Sequence, residues 1–342
     1  MSIEPLNSVL RDYDRQQIYV LADSNLRDIL VVRQLVDVCC NDLDRCLYIS
    51  CTESDKTLDT VQRIWDFLLN HQATRRSLLV CIGGGIVTDL GGFAASTFRR
   101  GMPYLNIPTT LLGMADAAIG GKTGCNYGGL KNAIGVIREA VDTLIFPELL
   151  ATLTPEDLLS GYAELVKTAL LNNETELAAV IESMEWPENH KRLGDLILHA
   201  VRFKQNIVAQ DPEEKGLRKQ LNLGHTVGHA LEEAGIAQGK PIRHGYAVMQ
   251  GLVAELYLSV IKLNLDKSVL RRISHLMIDQ YGKIGWSCKD YPQLVTLMHK
   301  DKKNEQADCI NFTLLRAVGE PVINQTATQA EIEEALEYLF TL

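Results

Sequence analysis

The 342-residue chain has no uninterrupted apolar run of about 18 residues, the length a helix needs to cross a bilayer, and Met1-Ser2-Ile3-Glu4-Pro5 does not open a secretory signal. None of its eight cysteines stands in a C-x-x-C pair, which removes a common zinc and redox spacing. Several cysteines lie in apolar runs, where a free thiol serves as a small hydrophobe. These absences predict a reduced, cytoplasmic protein with no disulfides and no membrane segment. Basic residues are outnumbered, with 34 Lys and Arg against 43 Asp and Glu and a net charge of −9, so a broad surface for nucleic-acid phosphates is excluded. Any cationic cluster in such a chain points to a local pocket for a small anion. Internal repeats and low-complexity tracts are also absent.

What is present is the composition of a soluble globular protein, 46% apolar and 23% charged, with a length that suggests two domains. Gln17 to Ala22, Cys46 to Ser50 and Leu78 to Ile82 read as strands, and Asp28 to Cys40 and Leu58 to Asn70 have helical spacing between them. This βαβ rhythm predicts a mainly parallel sheet with helices on its faces.

The third strand runs into Gly83-Gly84-Gly85 and then an apolar helical segment containing Asp89. Glycines after a buried strand let backbone approach a phosphate, and the next helix N-terminus offers free N–H groups. The G-x-G-x-x-G spacing is missing, so a tight strand-to-helix turn is the plainer alternative. Arg99-Arg100-Gly101, Pro108-Thr109-Thr110-Leu111-Leu112 with Asp116, Gly120-Gly121-Lys122-Thr123 and Lys131-Asn132 follow. Such a density of Gly, Thr, Lys and Asn suits a loop wrapped around an anion, with a solvated loop as its alternative.

Beyond about residue 150 the pattern is helical almost throughout. Thr154-Pro155-Glu156-Asp157 is a good helix start, and the segments 158–171, 193–208, 229–233, 244–261, 265–280, 291–299 and 330–340 carry helical spacing. Glu164 and Lys167 share one face, which by itself predicts a surface ion pair. In Leu221-Asn222-Leu223-Gly224-His225-Thr226-Val227-Gly228-His229, two imidazoles four residues apart should point the same way. Thr226 stands where a zincin has its Glu, so the stretch is not that motif. Gly224 and Gly228 each cost a helix interior roughly 0.8–1 kcal/mol relative to Ala, and they make sense where another backbone or a ligand comes close.

Taken together, Glu164, His225, His229 and His244 can supply three ligands to Zn²⁺ with a fourth position left open for substrate. Lys167, Lys204, Arg218, Asn222 and Lys302-Lys303 would hold a multiply charged anion beside it. The linker at residues 145–154 is the expected boundary between a domain 1–152 and a domain 153–342, with the cleft between them as the expected ligand site.

From about residue 17 to 320 these segments, in this order and spacing, resemble the 3-dehydroquinate synthases, within the wider sugar phosphate cyclases. The segments are Gly83-Gly84-Gly85 with Asp89, Arg100-Gly101, the Pro108 to Asp116 run, Gly120 to Thr123, Lys131-Asn132, Gly161 to Lys167, the histidine run, His244-Gly245 and Asp301-Lys302-Lys303. The resemblance implies an α/β Rossmann-like nucleotide-binding domain followed by an all-α metal-binding domain. It also implies a cyclising, NAD- and metal-dependent phosphate lyase of the shikimate pathway. Glu164, His225 and His244 fall on the family's zinc ligands, with Co²⁺ possible in place of Zn²⁺.

By the same resemblance, Asp23, Asn25, Glu53, Lys56, Gly83, Gly84, Gly85, Asp89, Thr109, Thr110, Leu112, Lys122 and Lys131 fall on NAD-binding positions. Asp116, Lys122, Asn132, Lys167, Lys204, Arg218, Asn222, His229 and one of Lys302 or Lys303 fall on substrate positions. Among these, Asp116, Lys122, Lys167, Asn222 and His229 are the implied catalytic groups. A residue matching Arg100 reaches into the neighbouring subunit's site, which implies a homodimer. The chain departs from the family pattern at Tyr127-Gly128-Gly129-Leu130, where His-Pro-Leu-Gly is common, and at Tyr246, where Glu is common. A 2-deoxy-scyllo-inosose synthase is the nearest rival, but it carries an acidic residue where Asn222 stands. An iron-type polyol dehydrogenase would have little need for Lys122, Lys204 and Arg218.

Overall fold

The computed structural model describes residues 2–40, 42–184, 190–282, 285–300, 304 and 309–342. The chain forms two compact units. One is Met1–Leu158 with Leu193–Gln205, and the other is Leu159–Arg192 with Asn206–Leu342. The sequence placed a single break at 152/153; the units instead part after Leu158, and residues 193–205 return to the first.

The first unit opens with α1 (Glu4–Leu10), β1 (Ile18–Asp23), α2 (Leu30–Cys39), β2 (Cys46–Ile49), α3 (Leu58–Asn70), β3 (Leu78–Gly83), α4 (Gly85–Thr97) and β4 (Tyr104–Pro108). Every residue of β3 and β4 is buried, as a strand covered on both faces requires. With the short β7 (Asp142–Thr143), which follows the hairpin of β5 and β6 in the chain, these strands make one all-parallel sheet in the order β2-β1-β3-β4-β7. The chain leaves β1 toward β2 and then crosses back to β3 on the other side. The carboxyl ends of β1 and β3 therefore flank the point where strand order reverses, where open α/β sheets bind ligands.

The Gly- and Lys-rich stretch expected as a wrapping loop is an antiparallel hairpin, β5 (Lys122–Tyr127) and β6 (Leu130–Ile137). Gly128 and Gly129 turn it with φ of +59° and +81°, both positive as a two-residue hairpin turn demands. Propensity hid these strands because Gly124 and Gly135 face each other across them. An added Cβ at either would overlap the opposite backbone carbonyl.

The second unit is built from α5 (Pro155–Asn172), α6 (Glu174–Met184), part of α7 (His190–Gln210), α8 (His225–Ala237), α9 (His244–Leu263), α10 (Lys267–Tyr281), α11 (Tyr291–His299) and α12 (Gln329–Thr341). It is helical but not purely α. The hairpin β8 (Asn311–Ala317) and β9 (Glu320–Thr326) packs on α9. Phe312 to Leu315 are buried in succession, so β8 shows no alternation to read from the sequence. Among the described residues α9 alone is long and apolar enough to cross a membrane, yet it is the central core helix of this unit, packed against α8, α10, α12 and β8.

Candidate active site

Glu164 and Lys167 lie one turn apart on α5 and form an ion pair, but not at the surface: their side chains are 0% and 1% exposed. A buried carboxylate without a partner would cost several kcal/mol, so its surroundings decide what it is for. His225 and His244 are the first residues of α8 and α9, and their Nε2 atoms lie 3.4 and 3.3 Å from Glu164 Oε1. Each Nδ1 is engaged from behind. That of His225 is 3.1 Å from the Leu223 carbonyl oxygen, and that of His244 is 3.1 Å from Glu232 Oε2. These contacts place a ring proton on each Nδ1 and aim both Nε2 atoms at the carboxylate, the orientation that metal-binding histidines take.

Neither oxygen of Glu164 accepts a hydrogen bond of acceptable geometry. One ligand atom from each of Glu164, His225 and His244 lies within 4.8 Å of the others, a set that fits Zn²⁺ or Co²⁺ with an open position. The charges around the set pull its two imidazoles in opposite directions. Burial opposes charge on His244, but the Glu232 and Glu164 carboxylates outweigh it and push the imidazole up to about 10. Burial and the Lys167 ammonium push His225 down. Glu164 is held well below the usual carboxylate range, because Lys167 and the imidazoles overcome its desolvation.

His229 does not join this set in the same way as His225. Its ring stands edge-on to that of His225, with centroids 5.2 Å apart, and 6.1 Å from that of His244. The turn before α8 brings in two further expected residues. Arg218 is buried and donates from Nη1 to the Pro212 carbonyl at 2.7 Å, and Asn222 donates from Nδ2 to Glu214 Oε1 at 2.7 Å. Lys204, expected among these groups, belongs instead to the first unit. There its Nζ meets Asp116 Oδ1 and the Asp116 carbonyl, each at 2.8 Å.

In the first unit the expected nucleotide residues cluster at the carboxyl ends of the strands. Asp23 ends β1, where its Oδ1 accepts from the Asn25 N–H at 2.9 Å, and burial raises its carboxyl. Gly83 ends β3, Gly84 caps α4 and Gly85 begins it. Thr109 donates its N–H to the Gly83 carbonyl at 2.9 Å, and Thr110 Oγ1 accepts from Gly113 N–H at 3.0 Å, with Leu112 between them half-buried. The helix α4 starts at the glycines and carries Asp89, which meets Lys56 Nζ at 2.5 Å; Lys56 also donates to Asn132 Oδ1 at 2.5 Å. Glu53 Oε1 accepts from Asn126 Nδ2 at 2.8 Å and lies 4.0 Å from Lys131 Nζ. Lys122 is exposed at the start of β5. Arg99 and Arg100 are exposed and left-handed (φ +49° and +67°), and with Thr74 and Arg75 they line a surface hollow. Lys302 and Lys303 lie outside the described residues.

Three contributors were not singled out from the sequence. Glu232 orients His244, although its place three residues after His229 on the same helix was a usable signal. Ser160, one turn before Glu164, accepts the Gly245 N–H at 3.0 Å and fastens the start of α9 to α5. Asn126 joins Glu53 to the Asn132 backbone, whose N–H it accepts at 2.8 Å, a link across the hairpin with no sequence signature.

The profile of the 3-dehydroquinate synthase N-terminal domain matches residues 46–160, and that of the C-terminal domain matches residues 161–304. A 3-dehydroquinate synthase of Parabacteroides distasonis is 39% identical over 337 residues, covering 97% of this chain and 95% of that protein. Among solved structures, 2-epi-5-epi-valiolone synthase from Streptomyces hygroscopicus subsp. jinggangensis, with NAD⁺ and Zn²⁺ bound, is 28% identical with a TM-score of 0.82 over 94% of this chain and 91% of that one. A 2-deoxy-scyllo-inosose synthase complexed with carbaglucose-6-phosphate, NAD⁺ and Co²⁺ shares the fold at 22% identity and a TM-score of 0.81, covering 98% and 95%. With both domain profiles in sequence over most of its length and a relative matched nearly end to end, the chain belongs to the 3-dehydroquinate synthase family.

Proposed function

We propose that the protein converts 3-deoxy-D-arabino-heptulosonate 7-phosphate to 3-dehydroquinate and inorganic phosphate, as a cyclising carbon–oxygen lyase of aromatic biosynthesis. The observation that carries this reading is the Glu164–His225–His244 set, two of its members buried and His244 half-buried, with both Nε2 atoms turned inward, in a chain of this family. Glu164, His225 and His244 would hold Zn²⁺, or Co²⁺ in its place. The groups at the ends of β1, β3 and β4, with Glu53, Lys56, Asp89, Lys122 and Lys131, would hold NAD⁺. When bound, the metal would supply Lewis-acid polarisation of a substrate hydroxyl, and NAD⁺ would supply a hydride acceptor that is regenerated within each turnover.

This chain's own residues hold the substrate and its departing group. The first oxidation leaves a ketone that acidifies the neighbouring C–H. The proton passes to an oxygen of the substrate's own phosphate, and the C–O bond to that phosphate breaks. Lys167, Arg218 and His229 would balance the charge of phosphate as it leaves. Asn222, a neutral donor where one rival cyclase has an acid, suits a substrate that carries a carboxylate. After reduction the ring opens and closes again by an aldol step. The enzyme acts in the cytoplasm as a homodimer in which Arg100 serves the neighbouring subunit's site.

The test is inorganic phosphate release from the heptulosonate phosphate. Release should need only catalytic NAD⁺ and should stop on chelation. Stoichiometric NADH with no phosphate would favour a polyol dehydrogenase, and release from a hexose phosphate without a carboxylate would favour the scyllo-inosose reading.

A further inference from the structure

Two of the three groups offered to a metal, His225 and His244, are the first residues of helices. A helix N-terminus carries the positive end of the dipole and unpaired N–H groups, so it attracts anions and disfavours a cation. For α9 the Gly245 N–H is taken by Ser160. For α8 the residue in the capping position is Gly224, left-handed at φ +78°, with no side chain to offer.

The missing acceptor comes from about three turns along α9. Glu255 is 0% exposed, and its Oε2 accepts from Gly224 N–H at 2.6 Å while its Oε1 accepts from Thr226 and Val227 N–H at 3.0 and 3.2 Å. Three N–H groups around His225 thus converge on one buried carboxylate. Glycines let it reach them: an added Cβ at Gly251 would overlap the Gly224 carbonyl oxygen, and one at Gly228 would lie 3.0 Å from that of Ala247. Because Glu255 rides on the helix that begins with His244, one side chain fixes the start of α8 against α9.

We propose that Glu255 is a positioning residue of the metal centre, which sets the spacing of the His225 and His244 rings and cancels the dipole charge that would oppose a cation at His225. The inference rests on the reading of Glu164, His225 and His244 as metal ligands. A glutamine at 255 would present one acceptor oxygen and an NH₂ that faces N–H groups, so size would be kept while charge and two-oxygen capping are lost.

The experiment measures zinc affinity by competition with a chromophoric chelator in the wild type, Glu255→Gln and Glu255→Asp, alongside urea midpoints of the metal-free proteins. Removal of such a supporting group weakens metal binding by roughly 10–100-fold. Glu255→Gln should fall in that range, and Glu255→Asp, which keeps the charge, should lie nearer the wild type. Hydrogen exchange on metal-free wild-type protein should find the Gly224, Thr226 and Val227 amides already protected, and this decides the matter should Glu255→Gln fail to fold. Zinc affinity unchanged in a destabilised Glu255→Gln, or amides protected only after zinc is added, would overturn the proposal. A wild type that binds no zinc would overturn the metal reading instead.

Discussion

His225 and His229 are one helical turn apart, yet they stand in different surroundings. The first has its Nδ1 tied to the Leu223 carbonyl and its Nε2 facing Glu164, while the second stands beside the set, edge-on to its neighbour. Replacement of His225 by alanine should therefore abolish both bound zinc and turnover. His229→Ala should keep zinc and lose turnover by about 10²–10³-fold, the usual worth of one group that stabilises developing charge. Metal analysis of the two purified variants checks this, and equal zinc loss in both would remove the distinction. Residue type and spacing were enough to offer Glu164, His225, His229 and His244 as candidate ligands, and only the resemblance to the synthases chose Glu164, His225 and His244 among them. They could not show that the Glu164–Lys167 pair is buried, since an i,i+3 pair looks the same in sequence on either side of a helix.

The helices α8 and α9 meet along a seam of glycine. Gly251→Ala places a methyl group against the Gly224 carbonyl, where no side chain can yield, so the helices must separate. The expected cost is about 3 kcal/mol, at the upper end of ordinary overpacking, with weaker zinc binding as the two histidines part. Gly128→Ala, at an open hairpin turn with φ +59° and no atom within 4 Å of the new methyl, should cost only about 1–2 kcal/mol and leave zinc affinity alone. Urea denaturation and the chelator assay measure both. Helices such as α3 and α11 were legible to the residue, because each shows an apolar stripe between clear boundaries. Hairpins were not. In β5–β6 glycine supplies close backbone contact in place of β-branched side chains, and β8 is buried too continuously to alternate.

Across the whole molecule, pH should act first through carboxylates that accept backbone N–H groups. Asp211, beneath the Arg218 and Gly216 amides, Asp266 at the start of α10 and Glu331 in the first turn of α12 are all held below their ordinary values by those donors. The unfolded chain loses these bonds and takes up protons more readily, so their contribution is complete above the ordinary carboxylate range and disappears as pH falls through it and below. Urea midpoints of metal-free protein should thus fall steeply below about pH 4. A midpoint that rose as the pH was taken below about 4 would contradict the assignment. At this level the sequence revealed two bodies but not their membership. Helical spacing in residues 193–208 identifies a helix and carries no information about which core it completes.

That membership has a consequence for synthesis. The first unit is assembled from residues before 159 and a stretch that ends at Gln205, and the intervening segment belongs to the other body. A nascent chain that has emerged only as far as Leu158 has its parallel sheet but not the lysine that meets Asp116. The amino-terminal body is therefore completed on the ribosome only when α7 has followed it out, and a chain cut after Leu158 would expose the surface that this helix covers.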